Sequence, residues 1–186
     1  EMLSVLARLI EIPSVKGEPQ EGAPFGEQPR RALTEMCRIC GEFGLQTEVC
    51  EDVVGSAEYA PDNAEVTLGI LCHLDVVPSE PENWATDPYT LTEKDGVLYG
   101  SGVIDDKGPA VAALYAIRCI KELGLPLKKG VKLIFGTDEE NGSGDMEIYT
   151  QRVKLPPNVF TPDGSFPVIN VEKGMMRSRF SAQYEG

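Results

Sequence analysis

Four short segments carry side chains that could do chemistry together: His73-Leu74-Asp75, Asp105-Asp106, Glu139-Glu140 and Asp163. His73 is the one histidine of the chain. One imidazole with several carboxylates is a donor set that suits zinc, cobalt or manganese better than calcium. Carboxylates crowded to ~4 Å repel by about 4 kcal/mol per pair at an effective dielectric near 20. A site holding Asp105, Glu139, Glu140 and Asp163 therefore calls for protons or cations, and two Zn2+ would balance the four carboxylates. An all-oxygen calcium loop is the rival, but residues 138–145 do not have the D-x-[DN]-x-[DN]-G spacing. Residues two apart on an extended backbone point the same way, so His73 and Asp75 can share a face. A metal-bound imidazole usually donates its other N–H to a carboxylate, which makes His73 a candidate ligand and Asp75 its orienting partner. Judged alone, His73 reads more readily as a histidine satisfied at a strand end than as a ligand.

The elements that must position these residues follow from periodicity. Val66–Cys72 and Val131–Phe135 are short, nearly continuous apolar runs, which predicts buried strands. The first runs out into His73 and Asp75, the second into Gly136-Thr137-Asp138-Glu139-Glu140. Asp105 and Asp106 lead into the clearest helix, Lys107–Leu123, with Pro109 in its first turn and Gly124 at its end. Asp163 follows the strand candidate Val159-Phe160. Further helices are predicted over 2–12, 30–43 and 145–152, further strands over Leu45–Cys50 and Val168–Val171. Ser14–Pro29 reads as a Gly/Pro-rich loop, and Asn83–Tyr99 as a surface loop with a small hairpin turning at Lys94-Asp95-Gly96. Strands alternating with helices argue for an α/β layer with helices on both faces of the sheet. In such sheets ligands bind beyond the carboxyl ends of the strands, where all four segments fall.

Composition narrows the partners. The formal net charge of −13 repels phosphate backbones and anionic membranes, which argues against nucleic acid, and it attracts cations. No stretch approaches the ~18 apolar residues of a membrane span. No basic and then apolar opening signals secretion. Five cysteines at scattered spacing fit a reducing cytoplasm better than a disulfide framework. Cys37-x-x-Cys40 could be a redox or zinc pair, but it lies in a helical pattern with no second pair.

The motifs HLDVVP, LYGSGVIDDKGP, FGTDEENGSGDM and TPDGSFPVINVEKG, in this order over nearly the whole chain, resemble the dizinc metallopeptidases of the aminoacylase and carboxypeptidase-G type (peptidase clan MH), and most of all the bacterial PepV-like dipeptidases. The resemblance implies a three-layer α/β/α domain with a mixed, largely parallel central sheet. It implies hydrolysis of dipeptides or short peptides by a bridging water, with two Zn2+ per complete site, or Co2+ or Mn2+ in their place. By motif, His73 would bind one zinc with Asp75 behind it, and Asp105 would bridge both metals. Glu140 would bind the other zinc, Asp163 would complete the His73 metal, and Glu139 would be the general base. The peptide Asp105–Asp106 is a candidate for the cis form. Deacylation of N-acyl amino acids, or metal binding without catalysis, are the alternatives. Asn141 and Gly164 depart from the pattern without replacing a ligand.

The resembling enzymes supply a second zinc-binding histidine near their C-terminus, and this chain has no second histidine. Their lid or dimerisation domain follows a strand that corresponds to about Asn170–Phe180 here. With the opening Glu1-Met2, the expectation is a fragment: residues 1–186 as the N-terminal portion of a catalytic domain, the lid and C-terminal catalytic portion absent. For such a fragment we expect weak or single-metal binding, little turnover, and exposed apolar surface. A homodimer is possible for the full-length protein.

Overall fold

The computed structural model describes residues 1–186 apart from Met175, Arg177, Glu185 and Gly186. In chain order the elements are α1 (Met2–Ile10), α2 (Glu27–Glu42), β1 (Gln46–Cys50), β2 (Val54–Tyr59), β3 (Val66–His73), β4 (Thr92–Lys94), β5 (Val97–Tyr99), α3 (Lys107–Glu122), β6 (Gly130–Gly136), α4 (Gly144–Arg152) and β7 (Asn158–Phe160). The main sheet has the order β1-β2-β6-β3-β7. β7, β3 and β6 run parallel, while β2 is antiparallel to both β6 and β1.

Period-two alternation along the central strands divides the core. Leu133 and Phe135 of β6, with Ile70 and Cys72 of β3, face the apolar stripes of α1, α2 and α3. Ile134, with Leu71 beside it, faces the other way, toward Tyr149 of α4. The sheet is thus covered on both faces, and the mixed α/β/α architecture is the expected one.

β2 is a strand that periodicity does not announce. Its sequence, VGSAEY, is rich in small residues with weak strand preference. Phe135 of β6 explains the smallest of them: a Cβ at Gly55 would sit 2.2 Å from its ring. Conversely, Val168–Val171 forms no strand, and its valines and isoleucine are exposed. Strand-prone residues without a partner edge have nothing to pair with. The strand expected near 170–180 is likewise absent among the described residues, with Met175 and Arg177 outside them. The small hairpin forms as read: Asp95 and Gly96 both take positive φ between β4 and β5, as a two-residue turn demands.

Exposed apolar side chains gather beyond the sheet edge, at Val159 and Phe160 of β7 and then Phe166, Val168, Ile169 and Val171. All five cysteines are free thiols, Cys40 buried and Cys37 half-buried on α2. Burial pushes the Cys40 thiol far up, which suits packing rather than redox chemistry.

Candidate metal centre

Parallel pairing of β7, β3 and β6 brings their carboxyl ends side by side. His73 of β3 is in register with Gly136 of β6, and the N–H of Leu74 continues the ladder to the Gly136 carbonyl at 2.9 Å. The acidic turn after β6 therefore starts beside the imidazole. Ile70 of β3 pairs with Phe160 of β7, so Asp163 arrives from the other side three residues beyond that strand. Asp105 comes from the loop that opens α3. That loop is tight, since a Cβ at Gly108 would meet the Val103 carbonyl oxygen at 1.9 Å. The Asp105–Asp106 peptide is cis, the form the resemblance implies.

The four segments converge. Ligand atoms of His73, Asp105 and Glu140 all lie within 4.8 Å of one another, as do those of His73, Glu139 and Asp163. The His73 Nε2 atom is 2.8 Å from Asp105 Oδ1, 3.4 Å from Asp163 Oδ2 and 3.9 Å from Glu139 Oε2. The backbone at 139–141 is a 3-10 turn rather than extended. Even so, the adjacent glutamates join different groups, Glu140 with Asp105 and Glu139 with Asp163.

Asp75 is fully buried, and it serves more than the imidazole. The nearest acceptor for His73 Nδ1 is the backbone carbonyl of Asp75 at 3.0 Å, with the carboxylate Oδ1 at 3.5 Å. The carboxylate instead accepts the backbone N–H of Glu139 on Oδ1 and of Glu140 on Oδ2, each at 3.1 Å. Asp75 thus ties the glutamate turn to the imidazole strand.

The electrostatics fit a divalent cation. With Nδ1 facing a carbonyl, that nitrogen carries hydrogen and Nε2 faces the carboxylates. Burial alone would depress the imidazole pKa, but Asp75, Asp106 and Asp163 raise it to about 10. Burial, with the neighbouring carboxylates, raises Glu139 and Glu140 above the ordinary range, against a lowering by His73. Among the described residues, Asp105, Glu139 and Asp163 pair with no lysine or arginine, only with His73. Ligands held at ~2.0–2.1 Å by a tetrahedral ion stand roughly 3.4 Å apart, which is the spacing of His73 Nε2 and Asp163 Oδ2. One imidazole and four carboxylates at these spacings can hold zinc-like ions.

Four supporting residues receive no role from a reading of motifs. Asp106 is buried and accepts the His73 backbone N–H at 3.0 Å; burial raises its carboxyl to about 7. Lys107 is also buried, and its ammonium donates to the carbonyls of Leu9 and Ile12 at 2.9 and 2.8 Å, joining α3 to the end of α1. Lys16, in the loop before α2, reaches the buried Asp138 Oδ1 at 2.7 Å. A charged residue inside an otherwise tight or apolar segment was the available signal for Asp106, Lys107 and Asp138. Lys16 gave none.

Beside Asp105 and Glu140 opens a cleft of about 430 Å3, walled by Val77, Trp84, Ser101 and Ile104 among others. Clefts of about 480 and 450 Å3 beside Tyr149 and beside α2 hold none of the converging residues.

Comparison with known proteins agrees with this fold. YtjP of Bacillus subtilis (strain 168), provisionally named a dipeptidase, is 39% identical over 155 residues, covering 83% of this chain and 33% of its own. SSP1012 of Staphylococcus saprophyticus, named in the same way, is 36% identical over 176 residues, 94% of this chain and 37% of its own. The chain spans about a third of the length of these relatives. Human carnosine dipeptidase 1 superposes with a TM-score of 0.74 at 26% identity, over 89% of this chain and 38% of that one. The M20 family metallo-carboxypeptidase Sso-CP2 of Sulfolobus solfataricus gives 0.73 at 26% identity, over 89% and 37%. The sequence pattern of peptidase family M20/M25/M40 matches residues 69–181, from β3 through every converging side chain, and this chain belongs to that family.

Proposed function

We propose that these residues form part of the active site of a zinc-dependent dipeptidase. The observation that carries the reading is the meeting of His73, Asp105, Glu139, Glu140 and Asp163 at the carboxyl ends of parallel strands, where a cation is needed. His73 and Asp163 would hold one metal and Glu140 the other, with Asp105 available to both. Such ions would supply Lewis-acid polarisation of the peptide carbonyl and acidify water at neutral pH. Glu139, its pKa raised, accepts a proton from the attacking water. It then delivers that proton to the departing amine nitrogen as the carbon–nitrogen bond breaks. Asp75 fixes the turn that carries the two glutamates through their backbone N–H groups. The cleft beside Asp105 and Glu140 has room for a substrate side chain.

Dipeptides are the proposed substrates, because three of the four similar proteins named above carry dipeptidase names. A complete two-metal site draws its further histidine, and a lid, from residues outside these 186, which make up the N-terminal portion of the catalytic domain. The free thiols fit a cytoplasmic enzyme, and the full-length protein is proposed to be a homodimer. No helix among the described residues is long and apolar enough to cross a membrane.

The test is hydrolysis of dipeptides by the full-length protein with Zn2+, Co2+ or Mn2+, against N-acyl amino acids as competitors. Glu139→Gln is expected to lower kcat by about 10²–10⁴-fold with metal retained. Unchanged turnover would remove Glu139 from its role. Preference for N-acyl substrates would replace dipeptidase by deacylase.

A further inference from the structure

Two buried aspartates hold four successive backbone N–H groups of the turn between β6 and α4. Asp75 accepts from Glu139 and Glu140. Asp145 Oδ2 accepts from Thr137 at 2.5 Å and from Asp138 at 3.2 Å. Asp145 comes from the first turn of α4, is 1% exposed, and belongs to neither group of candidate ligands. Its other oxygen accepts the N–H of Met146 at 2.7 Å, so both oxygens bind backbone. The strand end makes room for it: a Cβ at Gly136 would lie 2.1 Å from Asp145 Oδ2. The next residue repeats the device outward. Asp138 accepts the N–H of Gly144 at 3.3 Å and pairs with the Lys16 ammonium at 2.7 Å.

We infer that Asp145 is a positioning residue for hydrolysis, setting Glu139 and Glu140 through the backbone of residues 137 and 138. The physical reason is leverage. The side chains at 139 and 140 are partly exposed and, among the described residues, make no hydrogen bond that fixes them from the side, so their placement follows the turn that carries them. Loss of two adjacent anchors frees the peptide planes immediately before it, and a misplacement of about 1 Å costs on the order of 10²-fold in rate. The simpler role for an aspartate in a first helical turn is to favour the helix start. That role accounts for the Met146 bond but not for the two bonds to Thr137 and Asp138. The inference rests on the roles proposed above for Glu139 and Glu140.

The test uses the full-length protein and the variant Asp145→Asn, which keeps one acceptor and turns an amino group on a backbone N–H. The expected result is a fall of roughly 10–100-fold in kcat and in affinity for Co2+ titrated into the metal-free protein. KM stays within about threefold, the cobalt absorption band changes, and the Thr137 and Asp138 amides exchange faster. A lower melting temperature with kcat, cobalt affinity and cobalt spectrum unchanged would leave only the helix role and overturn the inference. Should Asp145→Asn fail to fold, Gly136→Ala displaces the same carboxylate and is read in the same way. Should both fail, amide exchange in the unaltered protein decides. Protection of Thr137 and Asp138 supports the clamp, and exchange as fast as at the exposed hairpin residue Gly96 overturns it. If the unaltered protein cleaves no dipeptide, the functional reading fails, while the cobalt and exchange arms still judge Asp145.

Discussion

His73 and Asp163 approach to 3.4 Å, yet the fold holds them in opposite ways. The imidazole is buried on the central strand β3, its backbone N–H bound by Asp106 and its Nδ1 by the Asp75 carbonyl. Asp163 follows the three-residue edge strand β7, and its backbone N–H donates to Oγ1 of its near neighbour Thr161. Its carboxylate meets only His73 among the described ion pairs. The glutamate turn belongs with the imidazole side, since Asp75, two residues beyond β3, accepts its N–H groups. One half of the site is therefore pre-organised by burial and backbone hydrogen bonds, and the other half is gathered by charge. Sites of this kind let the core set the precise part, while the cation collects the rest.

The largest break in this contrast is expected from Asp75→Asn. One of the Glu139 and Glu140 N–H groups then faces an amino group in a buried setting. We expect a loss of about 1–3 kcal/mol in unfolding free energy together with roughly 10–100-fold in metal affinity, read by urea unfolding of the metal-free protein and by metal titration.

The pH dependence of metal uptake comes next. Metal needs the neutral imidazole, and His73 without metal stays protonated up to about 10. Binding must then release that proton, so affinity should fall roughly tenfold for each pH unit below that value. Calorimetry in two buffers of different ionisation enthalpy measures the proton released. The sign for folding is the reverse. Because the folded value lies above 6.5, the charged imidazole stabilises the metal-free protein fully below about 6.5, and this contribution fades as pH rises through about 10.

The smallest stability effect sharpens the comparison. Asp163→Asn should weaken metal binding by about 10–100-fold while leaving the urea midpoint of the metal-free protein within roughly 0.5 kcal/mol. A stability loss as large as that of Asp75→Asn would show that both halves are built alike.

Much of this was legible along the chain. β3 and β6 stand out as apolar runs, and their ends carry the imidazole and the glutamates. α3 stands out by its proline near the start and glycine at the end. β2 did not, because its small residues are strand-forming only under Phe135 and between β1 and β6. Val168–Val171 looked like a strand from side-chain type and forms none, because pairing requires a neighbouring edge. By motif, Asp75 is a partner of its own histidine. The structure gives its carboxylate mainly to residues 64 and 65 positions away, a relation no local pattern encodes.

By itself the sequence determined which groups can do chemistry, because residue type sets ligand character and charge, and strand periodicity places those groups at strand ends. Only the tertiary structure decided which carboxylates converge on the imidazole and which, like Asp75, Asp106 and Asp145, face backbone. That choice depends on the register of β3 against β6 and on where α4 begins, and these are settled by packing across the whole sheet.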